Sequence, residues 1–190
     1  MKKKRSHSGV ITFVLLFIAF IIYIQFLEKT AHYENSELPE GLHPIVAQKA
    51  EQLVHNGRKR GIEIIITDDF RSFDEQNRLY ETGRTKEGSI VTQAKGGESY
   101  HNFGLAIDFA IKKSNGEVIW DMTYDGNGNG QSDWMEVVEI AKSLGFEWGG
   151  DWKHFKDYPH LQMNFGLSIR DLNRGKRPPS EIVNAASMNN

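Results

Sequence analysis

Ser99-Tyr100-His101-Asn102-Phe103-Gly104-Leu105-Ala106-Ile107-Asp108 sets a histidine and a carboxylate seven residues apart, with a glycine turn between them. Beyond the turn, Leu105, Ile107, Phe109 and Ile111 alternate with Ala106, Asp108 and Ala110. Successive side chains of a strand point to opposite faces, so the branched and aromatic row faces a core while Asp108 stands between two alanines on the other side. Those small neighbours leave room above the carboxylate for a bound group. Further along, Pro159 disfavours helix, and His160-Leu161-Gln162-Met163 alternates polar with apolar residues, which reads as a second half-buried strand. Two strands can therefore aim His101, Asp108 and His160 at one point.

Two imidazoles and one carboxylate match the ligand set of catalytic zinc, which takes three protein ligands and keeps a fourth position for water. Asp157, three residues before His160, then lies on the entry to the same strand, within reach of that water as a general base. A single histidine in a strand is more often packed than ligating, so the reading rests on the three groups together. His154 is read as surface, and His7, His32, His43 and His55 as solvated residues of a tail, a stalk or a polar helix.

The pattern SxHxxGxAxD, followed at Gly145 to Gln162 by GFxWGGDWxxFxDxPHLQ, resembles the M15 group of zinc metallopeptidases, and within it the L-alanyl-D-glutamate peptidases of phage endolysins and Bacillus cell walls. The likeness runs from about residue 40 to 170, through several separated motifs in order. It implies that His101, Asp108 and His160 hold zinc and that Asp157 is the catalytic base. The D-alanyl-D-alanine carboxypeptidases of the group usually carry Glu at the base position, so Asp157 favours the endopeptidase branch. The implied substrate is a peptidoglycan stem peptide.

Upstream, the β-branched run Gly61 to Thr67 predicts a strand, and Phe73 to Thr82 a helix capped by Ser72 or Asp74. Arg71 sits at their junction, where a guanidinium can pair bidentately with a carboxylate. In the family that the chain resembles, an Arg and a Gln five residues later line the substrate site, which implies Arg71 and Gln76, with the α-carboxylate of the γ-linked D-Glu as partner. The structural alternative is an ion pair between Arg71 and Asp68 or Asp69. His43 to Arg60 reads as an amphipathic helix with Pro44 near its start, and Trp134 to Leu144 as another that ends at Gly145.

Asp125, Asn127, Asn129, Gln131, Asp133 and Glu136 fit the spacing D-x-[DN]-x-[DN]-G-x5-E, which alternates oxygen ligands, turns at Gly130 and closes on a glutamate. That spacing makes the loop a candidate calcium site. The alternative is a turn in which Asp133 caps the following helix and Glu136 completes a capping box.

Residues 10–27 carry no charged side chain, follow the basic run Lys2 to Arg5 and precede Glu28. This predicts a transmembrane anchor with residues 1–9 cytoplasmic and the rest exported, facing the cell wall; a cleaved signal peptide followed by secretion is the alternative. Residues 28–40 read as a stalk, 41–175 as one peptidase domain and 176–190 as a loose tail. No cysteine is present, so neither a disulfide nor a lipidated cysteine enters. A net charge of -2 gives no electrostatic case for nucleic acid, and a monomer is expected.

The expected fold is thus α+β, a small antiparallel sheet with flanking helices behind one N-terminal transmembrane helix. The expected activity is zinc-dependent hydrolysis of the L-alanyl-D-glutamate bond. The rivals are a D-alanyl-D-alanine carboxypeptidase and a non-catalytic zinc-containing wall-binding module.

Overall fold

The computed structural model describes residues 12, 14–23 and 37–179. Residues 14–23 are helical (α1) and their apolar side chains are exposed. No helix among the described residues is long and apolar enough to cross a membrane, and the other residues of the expected anchor, apart from Thr12, lie outside the described ones.

From residue 37 onward the chain builds an antiparallel sheet between helices. Its strands are β1 (Glu63–Asp68), β2 (Ala106–Lys112), β3 (Val118–Ile119), β4 (Glu147–Trp148) and β5 (His160–Gln162), and the main path runs β1-β2-β5-β4 with β3 added to β2. The helices are α2 (Pro44–Lys59), α3 (Phe73–Glu81), α4 (Asp133–Ser143) and α5 (Ile169–Asn173). The α+β reading and the small antiparallel sheet hold. The short β3, β4 and α5 carry too few residues to show a period, and the sequence reading passed over them.

The alternation around Asp108 plays out as its residues dictate. Leu105, Ile107, Phe109 and Ile111 are buried in the core, where the Phe109 ring meets Trp134 of α4 at 4.4 Å between centroids. Val46, Ala50 and Leu53 of α2 and Val137 and Ala141 of α4 close the same core. The opposite face of β2 carries Asp108 toward a cleft. Strand β1 pairs with β2 through Ile66↔Phe109 and then, after a register shift, Asp68↔Asp108. Such a bulge adds local twist and redirects the chain. Here it brings the β1–α3 junction, and Arg71 with it, alongside the end of β2 that bears Asp108.

His43 departs from its expected solvated place. It is half-buried against Phe165, and its Nδ1 accepts the Ile45 N–H at the start of α2. Pro44 contributes no N–H there, so the cap falls on the next amide. The cap of α3 is Ser72, in a reciprocal box with Glu75. Lys176 and Arg177, the first residues of the expected tail, are bonded to the domain: Lys176 to Asp171, and Arg177 to the carbonyls of Leu172 and Glu37.

Candidate metal centre and active site

Three local structures deliver the three predicted ligands. His101 lies in a 3-10 turn over Tyr100–Phe103 that ends at Gly104 in the left-handed conformation, φ 66°. A side chain at 104 would meet the Gly41 carbonyl at 2.3 Å, so only glycine lets the turn close against the segment entering α2. Asn102 ties the turn to the neighbouring junction by donating to the Arg71 carbonyl, while the Arg71 N–H donates to the His101 carbonyl. Asp108 and His160 are direct partners across β2 and β5. The strand pairing therefore sets one ligand beside another, and the turn drops the third on top.

His101 Nε2 lies 3.2 Å from His160 Nδ1, and Asp108 Oδ1 lies 3.3 and 3.4 Å from these two nitrogens. His101 Nδ1 is 2.6 Å from the Asp69 carbonyl, and His160 Nε2 is 3.0 Å from Gln162 Oε1. Both partners are acceptors, so each histidine spends its N–H outward and turns a bare lone pair toward Asp108. Asp108 Oδ1 is buried and has no hydrogen bond. Three lone pairs thus face one point with no proton among them, an arrangement that a cation resolves. All three ligand atoms lie within 4.8 Å of one another, the one such group among the described residues. Burial opposes ionisation of Asp108; without a cation, imidazoles protonated toward it would outweigh burial and hold its carboxyl well below the usual range, and a bound cation takes the place of those protons.

Asp157 lines the same cleft, in the loop before β5. Its amide donates to the Gly149 carbonyl, and a side chain at 149 would run into the Asp157 backbone at 2.3 Å, so this close approach also requires glycine. Burial, followed by the charge of Asp108, pushes the Asp157 carboxyl up. Arg71 reaches the cleft from the β1–α3 junction, with Nη2 2.5 Å from Asp68 and Nη1 2.6 Å from Gln76 Oε1. The anticipated ion pair with Asp68 is therefore present, beside a guanidinium that still lines the cleft.

Gln76 is completely buried, and its amide nitrogen donates to the Ala94 carbonyl and Thr92 Oγ1. Both ends of its amide are used inside the protein, so it orients Arg71 and pins the 92–94 segment. Trp152 and Phe155 wall the cleft, whose volume is about 680 Å³. His154 is exposed, as expected.

Asp125, Asp133 and Glu136, the three carboxylates of the 125–136 loop, do not form a group that could hold a metal ion among the described residues. Asp125 accepts the amides of Gly128, Asn129 and Gly130, and Asn127 and Asn129 turn their amide nitrogens to Glu136. Glu136 also lies 3.6 Å from Arg60. Ser132, and not Asp133, caps α4 by accepting the Met135 N–H.

Comparison with known proteins places this geometry. Residues 92–163 match the M15 peptidase family model described as D-alanyl-D-alanine carboxypeptidase. The chain is 59% identical over 158 residues to the peptidoglycan L-alanyl-D-glutamate endopeptidase CwlK of Bacillus subtilis, covering 80% of this chain and 95% of that protein. The chain belongs to the M15 peptidases. The L-alanyl-D-glutamate peptidase of Listeria phage A118 is 38% identical over 120 residues, which cover 61% of this chain and 36% of the phage protein. Among solved structures, the Serratia marcescens L-Ala D-Glu endopeptidase ChiX aligns at 24% identity and a TM-score of 0.45, over 70% of this chain and 85% of that one.

Sequence reasoning missed Glu147 and the role of Gln162 beside His160. Gln162 was legible as the polar alternate of the strand, but Glu147 reaches it only through the pairing of β4 with β5.

Proposed function

We propose that this M15 peptidase is a zinc-dependent peptidoglycan endopeptidase that hydrolyses the L-alanyl-D-glutamate bond of cell-wall stem peptides. The carrying observation is the convergence of His101, Asp108 and His160 with Asp157 and Arg71 on one cleft, in a chain 59% identical to an enzyme named for that bond. Two neutral nitrogens and one carboxylate oxygen suit zinc. When bound, zinc supplies polarisation of the scissile carbonyl and a lowered pKa for a bound water.

The protein's own groups do the rest. Asp157, lifted above the usual aspartate range by burial, is a stronger base than a surface carboxylate and takes the proton of the attacking water. Arg71, aligned by Asp68 and Gln76, presents N–H groups to a substrate carboxylate, and the α-carboxylate of a γ-linked D-Glu is such a group. Trp152 and Phe155 flank the cleft.

Residues 10–27 are proposed as an uncleaved membrane anchor that leaves the peptidase domain outside the membrane, facing the wall. The support is an uncharged run behind a basic one, with exposed apolar side chains on the helical part, 14–23. For the 125–136 loop, calcium is proposed on one feature: Asp133 is buried with Oδ1 unpartnered, and burial pushes its carboxyl up. Binding requires Asn127 and Asn129 to turn their amide oxygens inward. Isothermal titration that detects no calcium binding at about 1 mM, the weak limit for extracellular modules, removes this element.

Mass spectrometry of purified wall digested by the protein tests the activity. New N-terminal D-Glu is the expected product. Release of D-Ala alone would instead identify a carboxypeptidase, and an unaltered wall in the presence of zinc would identify a binding module.

A further inference from the structure

An imidazole can offer either nitrogen to a metal, so something must decide which one carries the proton. For His101 the decision falls to the backbone, because the Asp69 carbonyl can only accept. For His160 it falls to a side chain, Gln162, whose amide could in principle present either end. Gln162 Nε2 lies 2.9 Å from Glu147 Oε2, and an ionised carboxylate only accepts. The amide nitrogen must therefore face Glu147, which leaves Oε1 facing His160.

Each step along this chain allows one answer. Oε1 accepts, so the proton sits on His160 Nε2, and the Nδ1 lone pair points at Asp108 Oδ1 and His101 Nε2. Asn164 Nδ2 donates to the other Glu147 oxygen, which fixes the carboxylate in turn. Glu147 and Gln162 share one rung of the sheet, paired across β4 and β5. Gln162 is buried, whereas Glu147 is exposed.

We infer that Glu147 and Gln162 are positioning residues: through one hydrogen-bond relay they select the His160 tautomer and so preset the metal site before any metal arrives. The inference rests on the metal reading of the cleft, and one of its tests is independent of metal.

Two measurements on the full chain decide it. Zinc affinity from chelator competition should weaken about 10–100-fold in Gln162→Leu, the usual effect of removing a group that orients a ligating histidine. It should weaken in the same direction in Glu147→Gln, whose exposed amide leaves Gln162 free to turn over. In metal-free protein, ¹⁵N chemical shifts of the His160 ring should report the Nε2–H form in the wild type and a mixture of tautomers in Glu147→Gln. An unchanged melting temperature in Glu147→Gln separates the effect from misfolding. Affinity within about twofold of wild type in both variants, with the His160 tautomer unmoved, overturns the relay. A wild type that binds no zinc would instead strike the metal reading, while the tautomer measurement still decides this inference.

Discussion

His101 and His160 enter the cluster through different nitrogens, Nε2 and Nδ1, and each is held from behind by an acceptor. Removing either leaves Asp108 with one imidazole partner, so His101→Ala and His160→Ala should both lose bound zinc by elemental analysis. Stoichiometric zinc in both variants would sink the site. Asp157→Asn differs, because the amide keeps the shape and loses the proton acceptor: zinc should stay while kcat falls by at least about a hundredfold. Normal turnover with zinc retained would assign the proton to another group. Arg71→Ala should raise KM and lower kcat/KM with metal content untouched; an unchanged kcat/KM would reduce Arg71 to the partner of Asp68. Asp108 and His160 were legible as candidate ligands because a strand's period fixes which face each side chain takes, and His101 because its spacing sets it in the turn that Gly104 ends just before β2. Gln76 was not, since spacing alone cannot say whether a helix residue faces a cleft or supports the residue that does.

At the scale of elements, short segments decide more of the site than long ones. Helix α5 has five residues, yet it plants Leu172 in the core and carries Asp171, whose carboxylate accepts from Lys176 Nζ and Ser168 Oγ, each at 2.6 Å. Those hydrogen bonds, Lys176 first and then Ser168, hold the Asp171 carboxyl well below its ordinary 3.8. A depressed acid favours folding when ionised, so its contribution is present above the unfolded value and is lost as the pH falls through the folded one. Between about pH 5 and pH 2 the melting temperature of the wild type should fall more steeply than that of Asp171→Asn, which starts lower at neutral pH. Parallel curves would show that the cap and ion pair contribute nothing. Helices α2 and α4 were legible from their apolar stripes and α3 from its Ser72 cap, whereas the cap of α4 fell one residue before Asp133. β4 was not: two residues have no period, and Glu147 acquires its place only when β5 lies beside it.

For the whole molecule, one apolar row on β2 meets helices α2 and α4 and fixes which face of the sheet remains for chemistry, so the fold class and the site follow from the same alternation. In the N-terminal region the apolar side chains of residues 14–23 are instead exposed. Val14, Leu15, Leu16, Phe17 and Phe20 are exposed on α1, a contiguous apolar surface of the kind that soluble monomers rarely leave bare. Residues 10–27 carry no charged side chain, and a run of this length falls within the range that a membrane-spanning segment uses, roughly 17–25 residues. Lys2, Lys3, Lys4 and Arg5 precede the run and Glu28 follows it, and under the proposed anchor this charge bias would orient the peptidase domain outward. The full chain expressed in a Gram-positive host should therefore stay with the membrane fraction through high salt and alkaline carbonate, with its N-terminus intact by mass spectrometry. External protease added to wall-stripped cells should remove the peptidase domain and leave the first residues protected. Recovery of the protein from the medium with a new N-terminus beyond residue 20 would establish a cleaved signal in place of the anchor.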